Sequence, residues 1–381
     1  MRHWLPTAFA LALLAAGAAA QATILVPKDH PTIQAAVDAA NDQDKILISA
    51  GTYAENVVID GGHLLFITGK GKVVIAPAAG DAVKIQDSDF VFLTNIRTEG
   101  GDIGFHLVGS TSCQMVKCRV EGTTGDGVRI EGGASNLLQK MIIEDAGANA
   151  VAFATGIPEF TNNNTVIACK LVRPTLDGVG INGSNNQVIT TTIQNAGRDG
   201  IAVEATTLAA SSNFERSKII KPVRHGVLYT GDGMLVSRCT IVQPGGHGVE
   251  FTDGTGNGVG QTKLIKCGDD AVVIGGDNCE LSKLKITKPA GDGVLMTGDN
   301  AIVFLNKVSG PDGNGFSIQG FNGDYDGNKS SGADLSGFLL EGMQNTLSAN
   351  KASGSGSFDL NNPVPANNTV DPDNKFKTTG S

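Results

Sequence analysis

Gly125-Asp126-Gly127-Val128-Arg129-Ile130 opens a phrase that the chain then repeats. It returns as Leu176-Asp177-Gly178-Val179-Gly180-Ile181, Arg198-Asp199-Gly200-Ile201-Ala202-Val203, Arg224-His225-Gly226-Val227-Leu228-Tyr229 and Gly246-His247-Gly248-Val249-Glu250-Phe251. Gly268-Asp269-Asp270-Ala271-Val272-Val273-Ile274 and Gly291-Asp292-Gly293-Val294-Leu295-Met296 close the run. With the first aliphatic as register mark, weaker copies add Val83, Phe105, Val151, Phe316, Phe338 and Phe358. The marks lie 20 to 28 residues apart, most of them 22 or 23. A fixed period in this range marks a stacked-repeat architecture. Apolar and polar residues alternate with period two inside each copy, and Gly, Asn and Asp punctuate the copies. That is strand-and-turn chemistry.

Two solenoids fit such a period. A leucine-rich horseshoe needs a Leu-dominated consensus and often a helical segment per repeat, and the sequence has neither. A parallel β-helix needs several short strands and Gly/Asn-rich corners per coil, with like residues stacked inside, and this matches. The thirteen marks predict an all-β solenoid of about thirteen coils, some 60 Å long at roughly 4.8 Å per coil.

Met1 to Ala22 reads as a secretory signal: Arg2, an apolar run from Leu5 to Ala20, and a small-x-small end at Ala20-Gln21-Ala22. The chain is then expected to be secreted or periplasmic, with no membrane insertion, because no later stretch reaches the length of a spanning helix. The net charge is −9, and loss of Arg2 with the signal makes it −10. Such acidity argues against nucleic acid or an anionic membrane as partner.

Thr32 to Ala40 is the one clear amphipathic helix, with Thr32 as cap and Ile33, Ala36, Val37 and Ala40 as apolar face. It suits a plug over the open end of the solenoid. Residues 23–360 form one β-helix domain on this reading, and 361–381 an irregular cap or tail. The helix with Gly51-Thr52-Tyr53-Ala54-Glu55-Asn56 resembles the amino-terminal segment of pectin methylesterases and related right-handed β-helix proteins of the pectate-lyase-like superfamily. The resemblance covers Thr32 to Ile59 and implies a right-handed fold. The esterase motifs are absent, and the only Trp is Trp4, in the signal.

Cys118, Cys169 and Cys239 each lie ten residues before a mark, in a column whose other members are Asn95, Met141, Thr191, Ser217, Thr262 and Leu284. An interior column implies buried free thiols, and the same is expected of Cys113, Cys267 and Cys279.

Stacking turns sequence columns into surface lines. The residue two before each mark reads Asp81, Asp126, Asn149, Asp177, Asp199, His225, His247, Asp270, Asp292, Asn314. The residue before that gives Arg198 and Arg224 on adjacent coils. Outward strand positions give Lys84, His106 and Arg129, then Glu204 and Glu250. Ordinary turn chemistry explains Asp81, Asp126 and Asp292: Asp satisfies a turn and Gly takes the positive φ. Around coils 199 to 247 two His replace Asp and charges crowd together. A His between carboxylates is expected to titrate upward there. The candidate catalytic residues are Asp177, Asp199, His225, His247 and Asp270. Arg198, Arg224, Glu204, Glu250 and Phe160 are candidates for binding. Two insertions, Gly156 to Asn163 and Ala205 to Ser212, are expected to wall a groove beside them.

The column resembles that of the polygalacturonases, in that Asp177-Gly178, Asp199 and His225-Gly226 keep the order of that family. Arg198 stands where the family has an Asp, and the Arg-Ile-Lys strand is replaced by Glu250-Phe251-Thr252. Resemblance to the polysaccharide lyases of this fold implies an Arg or Lys base, often with calcium; no residue is assigned to a metal. The expected function is action on an extracellular polysaccharide that contains uronate, by lyase or hydrolase chemistry. The alternatives are a non-catalytic carbohydrate-binding or adhesin-like β-helix, and a polysaccharide epimerase.

Overall fold

Every strand pairing in the structure, a computed structural model, is parallel and joins one coil to the next. The structure describes residues 21–154, 161–203 and 211–380. The expected signal therefore lies almost wholly outside the described residues, as do Phe160, Glu204 and most of both insertions.

Each coil lays down three short strands. Two belong to a broad sheet and the third, which carries the register mark, to a 15-stranded sheet. In one coil these are Gln114–Val116, Arg119–Glu121 and Val128–Glu131. Each corner turns at a residue in the left-handed region: Ser112, Lys117 and Gly122 in this coil, Ser135, Lys140 and Asp145 in the next. The broad-sheet strands leave one inward side chain each and the mark-bearing strands two, such as Val128 and Ile130, which fixes the alternation seen in the sequence.

The register marks form one buried stack, as predicted: Val128, Val179, Ile201, Val227, Val249 and Val272 are each fully buried, and neighbours pair in register. Arg129, Ala202 and Glu250 share the outward column. Fifteen strands in this sheet add Val57–Asp60 before the thirteen expected coils and Thr379–Gly380 after them, and the solenoid has about sixteen turns. The last mark is Leu360, which pairs with Phe338; Phe358 is a misreading of loosened sequence. Residues 361–380 are a final, looser coil, with Thr369–Val370 on Thr346–Leu347 and Phe376 packed against Phe338.

The glycine before most marks, with Ala82, Ala150 and Ala271 in its place at three others, has a different cause from the one expected. These glycines do not adopt positive φ. A Cβ on Gly104 would lie 2.5 Å from Val120 Cγ1 and 2.6 Å from the Gly127 carbonyl oxygen. Close approach of successive coils excludes the side chain.

The helix spans Ile33–Ala39, with the Thr32 hydroxyl accepting from the Ala35 amide. Glu55 accepts from the Ile33 and Gln34 amides, 2.9 and 3.0 Å. The Gln34 side chain donates to the Val58 carbonyl and accepts from its amide, so it completes the exposed strand edge. The Ile-Gln-Ala-Ala and Gly-Thr-Tyr-x-Glu-Asn segments thus form one cap.

All six cysteines are free and buried. Cys118, Cys169 and Cys239 stack as expected, although the first member of their column is Ile96; Asn95 occupies the bend before it. Burial pushes the Cys118, Cys239 and Cys267 thiols up to about 12. Alkylation without reductant should give six adducts by intact mass in denaturant and almost none under native conditions. A shortfall in denaturant that reductant restores would contradict the free-thiol assignment.

Candidate functional site

The column two before the marks is a hydrogen-bonded ladder. The side chain on one coil accepts from the backbone amide of the next. Asn149 N–H donates to Asp126, Asp177 N–H to Asn149, Asp199 N–H to Asp177 and His225 N–H to Asp199, at 2.8 to 3.1 Å. The His247 amide then donates to His225 Nδ1 at 3.2 Å. Further on, Asp292 N–H donates to Asp270, Asn314 N–H to Asp292 and Ser336 N–H to Asn314. One acceptor per coil is what this corner requires, so Asp, Asn and His all fit it.

The ladder carboxylates are more deeply placed than surface corners. Asp177 is 1 % exposed and Asp199 is fully buried. Arg198 forks onto Asp177, Nε to Oδ1 at 3.0 Å and Nη2 to Oδ2 at 2.6 Å. Both Asp177 oxygens are therefore engaged, and Arg198 does not form with Arg224 the free guanidinium pair that the sequence suggested. Arg224 is the open one: its side chain is 47 % exposed, with Nη2 3.5 Å from Asp199 Oδ2. That Asp199 oxygen has no hydrogen-bond partner among the described residues. Burial raises the Asp199 carboxyl above its ordinary value, against the pull of the His225 amide and of Arg224 and Arg198.

His225 departs from expectation. Burial lowers its imidazole pKa; Glu250, 3.5 Å from Nδ1, acts in the raising direction, and the neighbouring His247 and Arg224 charges in the lowering one. Asp199 binds its backbone, not its ring. The His225 and His247 rings stack with centroids 5.1 Å apart. His247 Nδ1 is buried without a hydrogen-bond partner among the described residues, 3.8 Å from Asp270 Oδ2. Burial first, then the neighbouring Asp269 charge, raises Asp270.

Two groups could hold a cation: His225, His247 and Glu250, and His247, Asp269 and Asp270, each with ligand atoms within 4.8 Å of one another. Both contain imidazole. Calcium takes six to eight oxygens, whereas a mixed nitrogen and oxygen set suits transition ions. These residues do not fit the calcium that the lyase resemblance implied.

A concavity of about 300 Å³ lies beside the ladder, lined by Arg129, Ala152, Gly180, Ala202, Asp177 and Arg198 among others. Its floor was legible but overlooked. The outward column reads Arg129, Ala152, Gly180, Ala202, Leu228 and Glu250 in register, so three small residues sit between bulky ones. The Lys84, His106 and Arg129 line is partly a closed network. His106 meets Asp81 at 2.7 Å and Glu131 at 3.4 Å, and Arg129 meets Asp126 at 3.1 Å and Glu131 at 2.5 Å.

Asp292 gives a clean stability test of the ladder. Burial first, with the neighbouring Asp270 charge adding to it, raises its carboxyl. The stability this group contributes is complete below its ordinary value of 3.8 and is lost as pH rises through the raised value. Asn already serves in this column at Asn149 and Asn314. Asp292→Asn should therefore raise Tm at neutral pH, with the gain fading below pH 3.8. A Tm loss at neutral pH would contradict the ladder electrostatics.

The pleated coil, its corner ladder and its capping helix define a fold, the right-handed parallel β-helix. The family described as right handed beta helix region matches residues 81–241. No match is found among curated proteins. Among solved structures, the bacteriophage Phi29 gene product 12 N-terminal fragment is similar at 10% identity and a TM-score of 0.68, over 88% of this chain and 69% of that one. The Agl-KA catalytic domain is similar at 14% identity and 0.56, over 94% and 68%. The Azotobacter vinelandii mannuronan C-5 epimerase AlgE4 A-module is similar at 13% identity and 0.50, over 90% and 94%. At these identities the likeness is one of fold.

Proposed function

We propose that this protein is exported and acts on an anionic, uronate-containing extracellular polysaccharide along the face between Arg129 and Asp270. The observation that carries the reading is a fully buried carboxyl, Asp199, whose Oδ2 has no hydrogen-bond partner among the described residues, next to the His225 imidazole on the adjacent coil. Asp199 is shifted towards its protonated form and His225 towards its neutral form. Environments that set an acid and a base side by side are the mark of proton-transfer sites. Asp199, whose buried Oδ2 lies 3.5 Å from Arg224, would donate the proton once a bound carboxylate draws the exposed Arg224 aside, and His225, held near Glu250, would accept one. Arg224 supplies an exposed guanidinium for a uronate carboxylate.

The same pair serves three reactions. Loss of the uronate α-proton followed by expulsion of the glycosidic oxygen is a lyase reaction. Return of a proton to the opposite face is epimerisation. Protonation of the glycosidic oxygen with attack by water is hydrolysis. The lyase and hydrolase readings come first, because a neutral Asp199 is suited to protonating a leaving oxygen. A second reading, a non-catalytic glycan-binding surface, is favoured by the ladder itself, which gives Asp177 and Asp199 a structural role. Arg224→Ala separates binding from chemistry. It should raise KM for a uronate oligomer at least about tenfold, the loss of a charge-assisted fork, with a smaller change in kcat. An unchanged KM would remove Arg224 from the site.

A further inference from the structure

We propose that the carboxy-terminal half carries a second polyanion-binding surface, a lysine track on the broad sheet that holds an extended acidic polysaccharide. Lys263, Lys285, Lys307, Lys329 and Lys351 pair in register on five consecutive coils, and Lys375 extends the line by a bridge to Lys351. All six are exposed. Lys266, Lys283 and Lys288 stand on the bends either side. Two residues beyond Lys285, Lys307, Lys329 and Lys351, on the same face, run Thr287, Ser309, Ser331 and Ser353, with Ser309 and Ser331 hydroxyls 3.3 Å apart.

Like charges directly abreast in a sheet oppose its stability. Neutralisation within the chain would relieve this, yet no described lysine has a carboxylate within 4 Å. Glu280, Asp324 and Asp326 lie across the bend on the neighbouring strand and do not reach. The amino-terminal half of the same column behaves differently: Arg97 and Arg119 are paired with Glu121 and Glu144. Lysines also guard sheet edges, but these strands are paired on both sides and have no edge to guard. Solubility does not require them either, since a chain of net charge −9 is brought nearer neutrality by each lysine.

What remains is an external anion with a matching repeat. Column neighbours are one coil apart, roughly 4.8 Å, and an extended glycan advances by a similar length per sugar. A polysaccharide with one acidic group per sugar can therefore place an anion at each lysine and a hydroxyl or ring oxygen at each Ser or Thr. The track holds no aromatic side chain on which bases could stack, which disfavours single-stranded nucleic acid. This surface extends the proposed function by a second binding face for such a polymer, but it stands without any chemistry at Asp199.

The test compares the full chain with Lys285→Gln/Lys307→Gln/Lys329→Gln/Lys351→Gln, both checked for equal thermal melting. The probes are polygalacturonate, neutral dextran and a single-stranded oligonucleotide, titrated at several salt concentrations. The wild type should bind polygalacturonate with an affinity that falls steeply with salt, should ignore dextran, and should lose at least tenfold affinity in the quadruple variant. Equal affinity of the two proteins would overturn the proposal, as would tighter binding of the oligonucleotide. Binding that persists in Arg224→Ala and falls in the quadruple variant locates the effect on the track. Absence of turnover by the wild type would count against the groove reading alone.

Discussion

Asp199→Asn should remove turnover of a uronate polymer by at least about 100-fold, the range of a lost general acid, while Tm changes by only a few degrees. The separation of the two effects is the point. The amide keeps the acceptor that the His225 amide needs, and Asn occupies the equivalent place at Asn149 and Asn314. What it lacks is the proton. His225→Asn should do the same, because an amide oxygen can replace Nδ1 as acceptor for the His247 amide. The pH profile is part of the prediction. Asp199 stays protonated above its ordinary 3.8, and His225 stays neutral below its ordinary 6.5. The two shifts bring the titrations towards each other, so the product of protonated Asp199 and neutral His225 is largest between them and the rate should peak in the acidic range. Full activity in both variants would place the chemistry elsewhere.

Gly104→Val should destabilise the chain by about 3 kcal/mol, the upper part of the usual cost of overpacking. The valine Cβ would stand 2.5 Å from Val120 Cγ1, 2.6 Å from the Gly127 carbonyl and 2.8 Å from Thr98 Oγ1. Two of these atoms are fixed by the next coil's backbone and by a core side chain, so relief requires adjacent coils to part. Coils of a solenoid contact only their neighbours, so unfolding should begin in the amino-terminal coils, visible by hydrogen exchange. A loss below about 1 kcal/mol would contradict the close-approach account of this glycine column.

The fold was legible because stacking repeats one requirement at every coil. Val128, Val179 and Ile201 each need a branched aliphatic at the same depth, so the period survives sequence drift. It failed at Asn95, where the column member is Ile96, and at Phe358, where Asn, Gly and Ser dominate and one apolar residue looks like another. The site was half legible. Column arithmetic placed Asp177, Asp199, His225 and His247 on one line, and the structure keeps them there. It could not say that Arg198 turns back onto Asp177, because a fork between coils depends on rotamers and not on spacing. Nor could it give the sign of the His225 shift: carboxylates were visible in the sequence, but depth of burial was not. Ala152, Gly180 and Ala202 left a gap that charge-seeking overlooked, since small residues announce a concavity by what they lack.

The most direct test is turnover by the wild-type chain on matched uronate and neutral polysaccharides at mildly acidic pH. New reducing ends and the ultraviolet absorbance of unsaturated sugars would be followed together. The predicted result is chain cleavage of a uronate polymer and none of neutral glucan. The absorbance would mark elimination, and its absence with rising reducing ends would mark hydrolysis. Cleavage of neutral glucan alone, or binding of neither polymer, would contradict the account.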